Sequence, residues 1–267
     1  LNFYFKQKIW HGNKELKYIY GMELQRLYGL LDITSVGDLD TEKSISAWTG
    51  RIAKVGHQTD GRFLPAAICV YAPLLRAARK GLGEFAVPLA AVTGNFPSGK
   101  AELGLKAEET KRAIDAGAHE IDWVIDRGAA LYSLGESVYE EVQTAREACG
   151  TAALKVIFET GQIQDKNVLN AMAGFALDAG ADFLKTSTGK IPIGATEEAA
   201  HILCSAINLK KNRAGFKASG GIRDQETALR YLEIYETLTG NPAQSSSFRI
   251  GASALAIEIL REAGIDW

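Results

Sequence analysis

Four charged residues sit inside runs that otherwise read as buried β-strands: Asp32 in LLDIT, Asp122 in EIDWVI, Lys185 in DFLKTS and Lys217 in GFKASG. Lys and Asp are almost never fully buried unless they are paired. The neighbours of Lys217 are small and apolar, so alternation with solvent does not account for it. An internal Lys–Asp ion pair that holds the strands together is the plain explanation for each residue taken singly, and it stays open. Two lysines on neighbouring strands are harder to explain that way. Such strands lie about 4.8 Å apart, and two ammonium groups at that spacing repel. Chemistry can use the repulsion, because a neighbouring cation disfavours protonation and frees a lysine amine as a nucleophile toward carbonyl carbon.

Metal chemistry would need clustered His or carboxylate ligands. The histidines are His11, His57, His119 and His201. None falls within a strand pattern or at its carboxyl end; His119 directly precedes EIDWVI, and His201 falls in the middle of a helical pattern. No metal and no cofactor is expected. Anion binding is better supported. DFLKTS runs into Thr186-Ser187-Thr188-Gly189-Lys190, GFKASG into Gly220-Gly221-Ile222-Arg223, and RIGAS ends at Ser253. Glycine-rich turns at strand ends, followed by helix N-termini, present backbone N–H groups to a phosphate dianion. A Gly-Gly pair alone is more often a turn; paired with Gly-Ala-Ser at the next strand it becomes moderately specific.

Elements that would position these residues recur along the chain. Eight strand-like segments are legible: Leu30–Thr34, Ala66–Tyr71, Pro88–Thr93, Glu120–Ile125, Leu154–Glu159, Asp182–Ser187, Gly215–Gly220 and Arg249–Ser253. Their starts lie about 30 residues apart, the length of a βαβ unit, and helical patterns fill the gaps. Ala107–Ala116 carries carboxylates in its first turn and ends before Gly117; Asn167–Ala179 ends before Gly180. Thr196 and Asp224 are placed to cap helices reaching Asn208 and about Leu238, and Ala254–Ala263 closes the chain before Gly264. Eight βα units in roughly 240 residues predict an α/β fold, a single-domain (β/α)8 TIM barrel, which typically takes about 250. An open doubly wound sheet would want G-x-G-x-x-G after its first strand, and LLDITSVGDLD lacks it. In the barrel the carboxyl ends of the strands carry the active site. Residues 1–20 read as an amino-terminal extension outside the fold, and residues 21–267 as the barrel.

Composition excludes other classes. With 30 Lys+Arg against 32 Asp+Glu the net charge is −2, which supplies no basic footprint for nucleic acid. The longest nearly apolar run, Phe63 to Leu75, contains two prolines and falls short of the about 20 residues that span a membrane. Leu1–Trp10 has no continuous apolar segment of the signal-peptide kind. The three cysteines, Cys69, Cys149 and Cys204, read as reduced core residues of a cytoplasmic protein.

The segments EIDWVI, LKVIFETG, FLKTSTGK, GFKASGGIR and RIGAS, with AAICVY, AVTGNFPSG and LLDIT upstream, resemble the signature runs of 2-deoxyribose-5-phosphate aldolases. The similarity runs in register from about Leu24 to Gly264. It implies a class I aldolase that needs neither cofactor nor metal. Such an enzyme acts reversibly on a sugar phosphate, 2-deoxy-D-ribose 5-phosphate, giving D-glyceraldehyde 3-phosphate and acetaldehyde. By the same resemblance Lys185 forms the Schiff base, Lys217 perturbs its pKa, Asp122 works with Lys217 and a water in proton transfer, and Asp32 orients the network. Cys69 and Thr186 belong to the pocket, and Gly189, Gly220, Gly221 and Ser253 to the phosphate site. A homodimer is compatible with this reading.

The chain departs from the family pattern in places. Ala218-Ser219 stands where proline and alanine are usual, Gly94 looks like an extra residue before Asn95, Ala254 stands where some members have a second serine, and the chain stops at Asp266-Trp267 where some end in a tyrosine tail. Two rivals remain: another Schiff-base sugar-phosphate lyase or transaldolase, and a non-catalytic sugar-phosphate binder. Trapping with borohydride separates binder from enzyme, and an aldehyde acceptor screen separates the two enzymes.

Overall fold

A computed structural model of the chain describes the backbone of residues 14–211 and 214–267, and side chains from residue 21 on. A helix, α1 (Lys14–Tyr28), leads into eight strands: β1 (Leu31–Thr34), β2 (Ala67–Tyr71), β3 (Leu89–Thr93), β4 (Glu120–Val124), β5 (Ala153–Ile157), β6 (Phe183–Lys185), β7 (Gly215–Ser219) and β8 (Phe248–Gly251). All pair in parallel in sequence order, and β8 returns to β1, so the sheet closes into a barrel without edges. Crossover helices follow: α2 (Glu42–Gln58), α3 (Leu75–Leu82), α4 (Leu103–Asp115), α5 (Arg127–Tyr132), α6 (Ser137–Cys149), α7 (Lys166–Asp178), α8 (Glu197–Leu209), α9 (Gln225–Thr239) and α10 (Ala254–Glu262). This is the expected TIM barrel, in one domain. The α1 helix crosses the expected boundary at Tyr20, and Leu24, Leu27 and Tyr28 of its last turns are buried in the core.

Strand alternation divides the barrel into two environments. The outward-facing residues, among them Ile33, Val70, Trp123, Val156, Leu184 and Phe216, join the core beneath the helices. Each large apolar side chain so buried contributes about 1.5–3 kcal/mol. Inward, β2 and β3 supply a small apolar cluster, Ala67, Cys69, Ala90 and Val92. The other strands supply charge: Asp32, Glu120, Asp122, Lys155, Lys185, Lys217 and Arg249, all buried. Branched apolar side chains usually fill such interiors; here an ion network does.

Local signals explain the helix ends. Thr196 Oγ1 accepts from Ala199 N at 3.1 Å and Asp224 Oδ1 from Thr227 N at 2.8 Å, as the sequence predicts. The α4 helix differs, starting at Leu103 rather than Ala107. Leu103, partly buried, packs against the core and Lys106 is buried, so the first turn is anchored by packing and not by charge, and Glu109 instead accepts from Asn95 N at 2.7 Å. Lys106 is buried against Glu141 of α6 and also donates to Val124 O at 2.9 Å; Glu141 in turn accepts from Trp123 Nε1 at 3.1 Å and from Asp126 N. This pair, outside the barrel, ties two helices to the carboxyl end of β4. Gly94 belongs to the same packing. A Cβ there would lie 2.7 Å from Val124 O, and its φ of +78° suits glycine.

Candidate active site

Strand register sets the site. Lys185 of β6 lies opposite Lys217 of β7, and Lys217 opposite Arg249 of β8, so three cations stand in one row. Asp122 of β4 faces Lys155 of β5 in the same way. Period-two alternation turns all of these inward.

Asp122 is the hub. Its Oδ1 accepts from Lys155 Nζ at 2.8 Å, and its Oδ2 accepts from Lys185 Nζ at 2.7 Å and Lys217 Nζ at 2.6 Å. The Cys69 thiol sits 3.8 Å from the same Oδ2. Asp32 accepts from Lys217 at 2.5 Å, lies 3.6 Å from Lys155 and pairs with Arg249. Glu120, one alternation below Asp122, takes Lys155 at 2.5 Å and Arg249 Nη2 at 2.8 Å.

Burial and charge act differently on the two opposed lysines. Burial lowers the pKa of Lys185; Asp122 opposes the shift and the Lys217 ammonium adds to it, so the amine ends below its ordinary value. Burial also works against the Lys217 cation, but Asp122 and Asp32 together outweigh it and the pKa rises. Lys155, held by Asp122, Glu120 and Asp32 against the same desolvation, is raised as well. Burial disfavours the charged forms of both aspartates, yet their cationic neighbours prevail and hold both well below the carboxylate range. Burial pushes the Cys69 thiol up to about 11, so it stays protonated at neutral pH. The arrangement therefore offers an amine that can lose its proton, next to a carboxylate that stays ionised and an ammonium that keeps its proton.

Above this network the strand ends form a mouth. Gly189, Gly220 and Gly221 all have positive φ. Gly220 is also pressed against Gly194: a Cβ would lie 2.9 Å from the Gly194 Cα, so only glycine lets the turns after β6 and β7 meet. Ala195 N donates to Gly220 O at 3.1 Å. Thr186 faces β7 and not open space, its Oγ1 donating to Ser219 O and accepting from Ser219 N. Ser219 donates its Oγ to Ser187 O at 2.5 Å, which braces the end of β7 against the turn after β6. The Ser253 hydroxyl is tied to Thr34, donating to its carbonyl at 2.5 Å and accepting from its N–H. What Ser253 can offer an anion is the start of α10, whose first N–H groups have no intrahelical acceptor.

Four residues of this assembly escaped the sequence reading. Lys155 and Arg249 are charged residues within strand patterns, LKVIFE and RIGAS, and the criterion that found Lys185 would have found them. Glu120 opens the EIDWVI pattern, as Arg249 opens RIGAS, and it too went unread. Glu159, after β5, is buried with left-handed φ 56° and ψ 57°; its carboxylate accepts from Thr188 N at 3.2 Å and from the Thr188 hydroxyl. No sequence signal marks it. His119 accepts from Leu89 N at the amino-terminal end of the barrel, and His57 and His201 are exposed. His11 lies outside the described residues, among which no group of His, Cys, Asp and Glu could hold a metal ion. Nor, among them, is any helix long and apolar enough to cross a membrane.

A closed (β/α)8 barrel that sets a lysine of lowered pKa opposite one of raised pKa has the parts of a class I aldolase, the kind that works through a lysine imine. Residues 51–234 match the model of the DeoC/LacD family of aldolases, and the chain belongs to that family. Solved structures agree. A crystal structure from Coccidioides immitis assigned as a deoxyribose-phosphate aldolase superposes with a TM-score of 0.77 at 26% identity, covering 91% of this chain and 87% of that one. An aldolase designated QR15 gives 0.72 at 30% identity over 89% and 96%. The tetrameric deoxyribose phosphate aldolase of Aeropyrum pernix gives 0.69 at 26% identity over 92% and 96%. Triosephosphate isomerase from Bartonella henselae, at 17% identity and a TM-score of 0.52, shares the fold alone.

Proposed function

We propose that this aldolase cleaves 2-deoxy-D-ribose 5-phosphate reversibly to D-glyceraldehyde 3-phosphate and acetaldehyde, with Lys185 as the Schiff-base lysine. The observation that carries the reading is the unequal treatment of Lys185 and Lys217, which meet on one oxygen of Asp122. In its neutral form the Lys185 amine adds to the C1 aldehyde of the open-chain sugar, and the carbinolamine hydroxyl leaves as water with a proton supplied by the relay described below, giving a protonated imine. The C3 hydroxyl then gives up its proton, the C2–C3 bond breaks, and its electron pair moves into the iminium to form an enamine. Glyceraldehyde 3-phosphate leaves. Protonation of the enamine at C2 and hydrolysis release acetaldehyde and the amine. The iminium is the electron sink, so the reaction calls on no cofactor. Asp122, Lys217 and a water form the proton relay, and Asp32 keeps Lys217 in place. Gly189, Gly220, Gly221 and the backbone at Ser253 hold the 5-phosphate, Cys69 lines the pocket, and Thr186 acts on it only through its hold on Ser219 of β7. A cytoplasmic setting suits this chemistry.

The test is a coupled assay for glyceraldehyde 3-phosphate, the product common to aldol cleavage of all three, with 2-deoxyribose 5-phosphate, ribose 5-phosphate and fructose 1,6-bisphosphate as separate substrates. Release from the deoxy sugar alone is expected. Turnover of another sugar phosphate with none from deoxyribose 5-phosphate would move the chain to a different lyase.

A further inference from the structure

The buried network holds three carboxylates, Asp32, Glu120 and Asp122, against four bases, Lys155, Lys185, Lys217 and Arg249. If every group were ionised the cluster would carry one uncompensated positive charge in a region closed to solvent, which the low dielectric penalises. One base is therefore driven to give up its proton. Arg249 cannot, since guanidinium stays protonated in proteins, and it grips Glu120 with both terminal nitrogens as well as Asp32. Lys155 reaches all three carboxylates and Lys217 two. Lys185 has a single carboxylate oxygen and shares it with Lys217. The surplus falls on Lys185.

We propose that Arg249 and Glu120, which do not reach the reacting amine, are positioning residues that fix the proton count of the cluster, so that the proton it lacks is the one from Lys185. This rests on the reading of Lys185 as the Schiff-base lysine and says how the fold prepares it. Every strand packed around Lys185 enters the balance. Asp32 comes from β1, Asp122 and Glu120 from β4, Lys155 from β5, Lys217 from β7 and Arg249 from β8. From β2 comes Cys69, neutral at pH 7, and β3 offers only Ala90 and Val92. Arg249 stands two strands from Lys185, about 10 Å. At the effective dielectric typical of proteins, a charge at that distance moves a pKa by about one unit.

The test is a carbon NMR titration of the Lys185 side chain in protein with labelled lysine, assigned through Lys185→Arg, for wild type, Arg249→Met, Glu120→Gln, the double variant and Arg249→Lys. Removing the Arg249 charge should raise the Lys185 pKa by about one unit, and removing the Glu120 charge should lower it by a similar amount. The double variant and Arg249→Lys should both titrate near wild type. A merely structural Arg249 would not give shifts of opposite sign that cancel. Single variants that move Lys185 the same way, or not at all, would overturn the proposal. Should Arg249→Met fail to fold, the downward shift in Glu120→Gln, with Arg249→Lys near wild type, decides it. Borohydride trapping with acetaldehyde on the same proteins keeps the two readings apart. Predicted shifts without any adduct at Lys185 would sink the catalytic reading while leaving the charge balance intact.

Discussion

Lys185 and Lys217 face each other in register on adjacent strands, and both end on Oδ2 of Asp122, at 2.7 and 2.6 Å. One carboxylate oxygen cannot neutralise two ammonium groups. Asp32 breaks the tie by giving Lys217 a second anionic partner. The pair differs in its partners and not in its burial.

Replacing Lys217 with Leu removes a like charge and returns Asp122 Oδ2 to Lys185 alone. Burial would still lower the Lys185 pKa, but the contribution of Lys217 would be gone, so the pKa rises. Imine formation should then move to higher pH, with most activity at neutral pH lost. A pH–rate profile of borohydride trapping measures this, and an unchanged profile at wild-type rate would remove Lys217 from the mechanism.

Asp122→Asn should separate imine formation from bond cleavage. The amide cannot take a proton, and positioned acid–base groups contribute about 10²–10⁴-fold. Single-turnover measurements should find the imine still forming while C2–C3 cleavage slows by that order. A variant that cleaves at the wild-type rate would make Asp122 an ion-pair partner only. The substitution also leaves buried cations short of a partner, so a stability loss of about 3–5 kcal/mol is expected in urea unfolding.

Acid should unfold the protein partly through the two aspartates. Both have pKa values depressed in the fold, Asp32 and Asp122 alike. Their contribution is complete above the unfolded value of about 3.9 and is lost as pH falls toward the folded values. Wild type should therefore lose stability steeply below about pH 4, while Asp32→Asn, less stable at pH 6, should show a shallower slope there. Urea midpoints at several acidic pH values test it; parallel slopes would contradict the assigned shifts.

The barrel was legible because each of its eight strands is a short apolar run separated from the next by a helical pattern. Strand ends moved by at most a few residues, as in DFLKTS, where pairing stops at Lys185 and the polar residues Thr186 and Ser187 already belong to the turn. Asp122, Lys185 and Lys217 were legible as charges in the wrong setting. Lys155 and Arg249 carried the same signal and went unread, because a network of seven groups has no short-range spacing to suggest it. Lys106 and Glu141 were hidden for another reason: on helices, charged residues read as solvated faces, and only tertiary packing shows both enclosed beside Trp123. Glu159 depends on a left-handed backbone that favours glycine or asparagine, so sequence alone gives no reason to expect a glutamate there.

Glu159 leads to a prediction about substrate grip. Its carboxylate holds Thr188, whose hydroxyl also accepts from Lys190 N at 3.0 Å, so it sets the turn around Gly189. Glu159→Gln weakens a hydrogen bond to a charged group, and a loss of about 1.4 kcal/mol is a tenfold change. KM for the 5-phosphate should rise about tenfold with kcat little changed, and unphosphorylated 2-deoxyribose should be handled as before. Equal effects on both substrates would show that Glu159 supports the strands and not the phosphate turn.

Whether Lys185 is the nucleophile is settled most directly by mass spectrometry. Acetaldehyde followed by borohydride should leave one ethyl group on the protein, and peptide mapping should place it on Lys185. Lys185→Arg, which keeps the charge but cannot form an imine, should take up none and cleave nothing. An adduct on Lys217 or Lys155, or none in wild type across the pH range, would contradict the account.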